Sequence, residues 1–149
     1  MSSGVKVTPQ ARVRLNESLL RRMREDAKAV AERAYAPYSK FAVGAVVLAS
    51  DGRTFHGCNV ENASYGLTIC AERSAIFRAV SEGSTQIRAV VIFGGADAPA
   101  PPCGACRQVI VEFGPDAVVY SFSKSRRSGR WRASELLPFA FGTGSLNEA

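Results

Sequence analysis

The sequence predicts an α/β domain in which a sheet is layered by helices. Apolar residues recur with helical and strand periods in the order α-β-β-α-β-α-β. The 149 residues fit a single domain, for which about 100–150 is usual. Hydrophobic residues make up 46% and charged residues 21%, a balance that supports a core and excludes intrinsic disorder.

The elements follow in order. Residues 1–15 read as a flexible N-terminal arm and 16–149 as one domain, because no linker or internal repeat divides the rest. Asn16 is an N-cap, and Leu19, Leu20, Met23, Ala27, Val30 and Ala31 behind it recur at helical spacing. This predicts a helix over 17–35, closed by Pro37. The runs 43–50 and 53–59 are paired strands around the hairpin signal Asp51-Gly52. After loop-like residues 62–66, a second helix begins near residues 68–70 and stops at Gly83. A buried strand covers 87–93, and a loop with three prolines covers 96–102. A third helix starts near Cys103 and stops at Gly114-Pro115. Residues 117–122 form a further strand, and 124–132 read as a basic turn. The strands at 87–93 and 117–122 are each reached through a helical crossover.

The longest apolar runs, around 41–49 and 89–96, fall short of the ~18–20 residues of a membrane helix. No apolar h-region of a secretory signal is visible at the N-terminus. The cytoplasm is the expected compartment, and four cysteines kept reduced there point to metal or catalysis before disulfides. The net charge of +6 raises a nucleic-acid partner, but its distribution argues against one. Residues 1–40 carry +5, residues 41–120 carry −2 and residues 121–149 carry +3, so the middle of the chain is mildly acidic.

That middle holds the chemistry. Cys70 opens one predicted helix, Glu72 lies two residues on, and Pro102-Cys103-Gly104-Ala105-Cys106 opens the next. Cys103 and Cys106 stand at i, i+3, so one helix face presents both sulfurs. With Cys70 they make three zinc ligands and leave a fourth position for water. Helix N-termini favour thiolate over thiol, and Arg73 and Arg107, which follow the ligand motifs, offset the thiolate charge. Glu72 is placed to take a proton from that water and return it elsewhere. The combined pattern Cys-x-Glu … Pro-Cys-x-x-Cys matches the three-cysteine form of the zinc nucleobase-deaminase signature. Two rival readings stand beside it: a redox pair at Cys103/Cys106, and a closed structural zinc site with Cys58 as fourth ligand. His56, the only histidine, alternates with Cys58 on a strand and is read as accommodated there.

From about residue 35 to 142 the chain resembles the small homotetrameric cytidine deaminases. The resemblance runs through Pro37-Tyr38-Ser39-Lys40-Phe41, Gly57-Cys58-Asn59-Val60-Glu61-Asn62-Ala63-Ser64-Tyr65-Gly66, Cys70-Ala71-Glu72-Arg73, Pro102-Cys103-Gly104-Ala105-Cys106-Arg107-Gln108-Val109 and Leu136-Leu137-Pro138-Phe139-Ala140-Phe141. It implies a three-layer fold with a mixed five-stranded sheet flanked by helices. It also implies one zinc per subunit on Cys70, Cys103 and Cys106, with Glu72 as proton shuttle. Phe41 would pack on the pyrimidine, the backbone of Ala71 would contact the base, and Asn59 and Glu61 would bind the ribose 3′-hydroxyl. Tyr65 and Phe141 would reach the sites of neighbouring subunits. The implied activity is hydrolytic deamination of cytidine and 2′-deoxycytidine in pyrimidine salvage, with blasticidin-type deamination as a neighbouring possibility. Polynucleotide editing is a further alternative, which would bind through the basic ends.

Overall fold

A computed structural model of the protein describes residues 14–147. Helix α1 (Glu17–Ala31) starts where Asn16 Oδ1 accepts from the Leu19 amide at 2.8 Å. It ends four residues before the expected 35. The reason is that Tyr35 is drawn into main-chain pairing, donating to the Asn59 carbonyl (3.0 Å) and accepting from the Glu61 amide (2.8 Å). Strands β1 (Val43–Ala49) and β2 (Thr54–Cys58) form the antiparallel hairpin. Gly52 turns it with a φ of 90°, a conformation that suits glycine.

Helix α2 (Ala71–Ser81) leads to β3 (Ile87–Gly94), which pairs antiparallel with β1. Helix α3 (Gly104–Phe113) leads to β4 (Val118–Ser123), parallel to β3. A fifth strand, β5 (Ser128–Arg132), lies antiparallel to β4 and closes a sheet of order β2-β1-β3-β4-β5. The sequence reading of 124–132 as only a basic turn is therefore corrected. Trp131 packs on the core while Arg130 and Arg132 are exposed, so the strand alternates, but with charges that mask the apolar period. A 3₁₀ turn (Tyr65–Leu67) and two short helices, α4 (Ala133–Leu136) and α5 (Thr143–Asn147), were also not anticipated.

Three layers result. On one side of the sheet, Met23 and Ala27 of α1 pack on Val46, Leu48, Ala89 and Val91. On the other, Ala75, Ile76 and Ala79 of α2 and Ile110 of α3 pack on Val47, Phe55, Val90 and Val119. Most of the N-terminal arm expected over 1–15 lies outside the described residues. Leu15, at its end, packs on the α1-side core. Among the described residues no helix is long and apolar enough to cross a membrane.

The hairpin is tied to the end of α2 by Asp51. Its carboxylate accepts from the Arg53 amide (3.0 Å), Arg53 Nε (3.0 Å) and Ser84 Oγ (2.8 Å). These bonds, led by the Arg53 amide, hold its pKa down at about 2 against an ordinary 3.8. A depressed carboxylate pKa stabilises the fold above the unfolded value, and that contribution fades as pH falls from about 4 to about 2. Urea unfolding of Asp51→Asn should therefore show a lower midpoint than the parent protein at pH 7. The gap should close towards pH 2.

Candidate active site

The site is built where α2 and α3 begin side by side. Cys70 is the N-cap of α2, Cys103 the N-cap of α3, and Cys106 lies buried one turn into α3. Cys70 Sγ and Cys103 Sγ are 3.6 Å apart, and all three sulfurs lie within 4.8 Å of one another. Tetrahedral zinc with bonds of about 2.3 Å separates thiolate sulfurs by roughly 3.8 Å, so the spacing fits the metal. Cys58 is not a member of this cluster; it sits on β2, paired in register with Gly44. The donor set is thus three sulfurs, and a closed four-cysteine site is not what the fold assembles.

One glycine makes the helix placement possible. A Cβ at Gly57 on β2 would collide with the main chain of α2 at the Ala71 oxygen and the Ala75 nitrogen. Its absence lets the first turns of α2 lie directly on the sheet, which places Cys70 and Glu72.

The electrostatics divide the sulfurs. Cys70 has its pKa lowered to about 5, because it accepts from Cys106, from Arg73 (Nη2 to Sγ, 3.4 Å) and from Cys103, which together outweigh burial. Cys106 is shifted the other way by donating to Cys70, by burial and by the nearby Glu72 charge. Glu72 is buried, with Oε2 3.7 Å from Cys106 Sγ. Burial pushes its carboxyl pKa up, which suits a group that both takes and gives protons.

Glu72 and Cys70 open onto a cavity of about 230 Å³ that Phe41, Asn59, Glu61 and Ala71 also line. Asn59 spans the loop that carries Phe41. Its Nδ2 donates to the Phe41 carbonyl (2.8 Å) and its Oδ1 accepts from the Val43 amide (2.9 Å). Glu61 Oε1 accepts from the amides of Tyr38 (2.9 Å) and Ser39 (3.1 Å). The Ser39 hydroxyl and these amides hold Glu61 below the usual carboxylate range, so an ionised acceptor stands on the cavity wall. The sequence reading missed Thr68, Ile92 and Pro101, which complete the wall. Pro101 lay in plain view beside the Pro102-Cys103 motif; Thr68 and Ile92 carried no chemical signal.

Three further residues of the sequence reading lie off this chain's own cavity wall. Tyr65 and Phe141 do not line the cavity, and their side chains are exposed. Tyr65 meets Tyr38 edge-on at 5.7 Å, and the Phe141 carbonyl accepts from Gln108 Nε2 at 2.8 Å. Arg107, expected to offset thiolate charge, instead donates to the carbonyls of Pro102 (2.7 Å) and Leu136 (3.0 Å). Its fork binds the ligand loop to the C-terminal segment, while Arg73 is the arginine that reaches a sulfur.

Three converging sulfurs, a buried carboxyl beside them and a small pocket opening on both are the equipment of a zinc hydrolase with carboxyl acid–base catalysis. The chain belongs to the cytidine and deoxycytidylate deaminase family: residues 17–122 match the zinc-binding region that defines it. It is 45% identical over 125 residues to the cytidine deaminase of Sporosarcina psychrophila, covering 83% of this chain and 92% of that one. It is 48% identical over 118 residues to that of Halalkalibacterium halodurans, covering 78% and 89%. The crystal structure of cytidine deaminase from Burkholderia pseudomallei superposes with a TM-score of 0.80 at 45% identity, over 85% of this chain and all of that one.

Three substitutions test the assembly. Cys58→Ser should retain one zinc per chain by metal analysis, whereas Cys103→Ser should lose it; loss of metal from Cys58→Ser would make that residue a ligand. Gly57→Ala should cost about 1–3 kcal/mol in urea unfolding through overpacking and lower zinc occupancy. An unaltered midpoint would contradict the close approach of α2.

Proposed function

We propose that the protein deaminates cytidine and 2′-deoxycytidine hydrolytically, releasing uridine or 2′-deoxyuridine and ammonia. The observation that carries this is the buried Glu72 carboxyl, 3.7 Å from Cys106 Sγ, facing a pocket walled by Phe41. Its named relatives are cytidine deaminases. Cys70, Cys103 and Cys106 would hold the zinc, which supplies a Lewis acid that lowers the pKa of the attacking water.

The chain's own residues do the rest. Phe41 packs on the pyrimidine face and the Ala71 backbone meets its edge. Glu72 takes the water's proton and transfers it to N3 as the new bond forms at C4. Glu72 then takes the remaining proton from the new C4 hydroxyl and passes it to the amino group, which leaves as ammonia as the C4–N bond breaks and the C4 carbonyl forms. Glu61 and the remaining Asn59 amide hydrogen bind the 3′-hydroxyl. Because the 2′ position is not the anchor, both sugars fit. Among the described residues no lysine or arginine lines the pocket, so a 5′-phosphate meets no cationic partner.

The working unit in this reading is a homotetramer. Tyr65, Phe139 and Phe141 expose their rings on the single chain, as residues would that complete a neighbour's site. The enzyme serves pyrimidine salvage in the cytoplasm, where its four free cysteines stay reduced.

An ultraviolet assay of cytidine, deoxycytidine, their monophosphates and blasticidin S, with metal analysis of the same sample, tests the reading. Both nucleosides should turn over and the others should be poor substrates. Glu72→Ala should keep its zinc and lose about 10²–10⁴-fold in kcat. Undiminished turnover in that variant would remove Glu72 from the mechanism.

A further inference from the structure

Counted along the sequence, the positive charge sits at the two ends and argues against a nucleic-acid partner. The fold alters that count, because it brings both ends onto one face. Arg24 and Lys28 of α1 and Lys124 and Arg126 of the β4–β5 turn line a single cavity of about 250 Å³, with Phe93 beside them. Glu25 also lines it, and Asp97 lies 3.6 Å from Lys124 Nζ; these two carboxylates do not balance the cations. Phe93 points to the α1 side of β3, while its neighbours Ile92 and Gly94 line the active site on the other side. The cavity is therefore separate from the deamination pocket.

The charge continues into an aromatic stripe. Helix α1 packs against the central strands, and the α1-side residues of β4 are only half covered. Tyr120 and Phe122 stand there with ring planes 3° apart and centroids at 6.2 Å. The Arg24 guanidinium lies 4.9 Å from the Phe122 centroid. That of Arg130 on β5 lies 5.8 Å from the Tyr120 centroid, and its Nε donates to the Tyr120 hydroxyl at 3.1 Å. Arg126 lies in the turn, while Arg130 stands inside β5 opposite Tyr120, so the cations are spread over α1, the turn and β5 and not gathered around one point.

We propose that this face, formed by Arg24, Lys28, Lys124, Arg126 and Arg130 around Phe122 and Tyr120, binds single-stranded nucleic acid. Unbalanced cations attract a polyanion, and their spread selects a chain over a compact ion. Half-buried aromatic rings with guanidinium groups against them offer stacking surfaces for bases, which an acidic polypeptide would leave unused. The surface recruits the strand without feeding it to the deamination pocket, so it is a second binding activity and is independent of the reaction assigned above.

The test is fluorescence anisotropy of the intact protein with a labelled 20-nucleotide oligouridine, between 50 and 200 mM NaCl. Binding should weaken with salt, with a log–log slope of about −2 to −3 for three to four phosphate contacts. The double variant Arg24→Glu/Arg126→Glu should bind at least tenfold more weakly and flatten that slope, while deaminating cytidine at the parental rate. Arg78→Glu, an exposed charge reversal on α2, should bind as the parent does. Phe122→Leu should lower affinity severalfold with the slope retained, which separates stacking from charge; its circular dichroism and melting confirm the fold. The proposal is overturned by absence of binding at 50 mM NaCl or by parental affinity in the double variant. It is overturned equally if polyglutamate displaces the oligonucleotide as well as unlabelled oligouridine does.

Discussion

Everything at the active site depends on two helices beginning at the same place. A helix N-terminus leaves amide hydrogens unpaired and carries the positive end of the macrodipole. Both helices place a cysteine at that point, and α3 places a second one turn further in. Negative sulfur collects where the backbone favours it, and Arg73 adds a further positive group from the same helix. The cluster would otherwise be a costly concentration of like charge. The tight seat of α2 on β2 is the steric condition for this meeting. The parallel β3–β4 pair is the topological one, because it obliges α3 to start at the same edge of the sheet as α2.

Much of this was legible from residues. The Asn16 cap, the Asp51-Gly52 hairpin and the Cys70, Glu72, Cys103, Cys106 spacing each combine a residue type with a backbone demand that few other arrangements meet. What escaped was of two kinds. β5 was hidden because an edge strand with one solvent face can alternate serine and arginine with glycine and tryptophan, so no apolar period shows. The partners of Arg107 were hidden because its neighbourhood to Cys106 in sequence says nothing about where a long side chain reaches. In the fold it spans to Leu136, 29 residues on. A tally of charge along the chain likewise cannot register that α1 and the β4–β5 turn become neighbours.

Arg107 and Gln108 together give α3 a second function. One side of the helix presents sulfur to the pocket, while two adjacent side chains hold carbonyls of the C-terminal segment at Leu136 and Phe141. Motion of that segment is thereby linked to the loop that carries Cys103, through the Arg107 bond to Pro102. The exposed rings at the end of the chain are mounted on the metal-binding helix by two hydrogen-bonded side chains, rather than hung from a free tail.

The two ends of the Asn59 amide have a consequence for how this pocket can change. One side chain braces the aromatic wall through Phe41 and Val43 while itself lining the cavity. On the function proposed above, discrimination at the sugar and at the base would therefore not be modular. A replacement of Asn59 that removed these bonds would loosen the loop that carries Phe41. On the same reading, variation in ligand range would be channelled to positions such as Thr68 and Pro101, which line the cavity. The evolvable part of the pocket is its rim, and its hinge is a single amide.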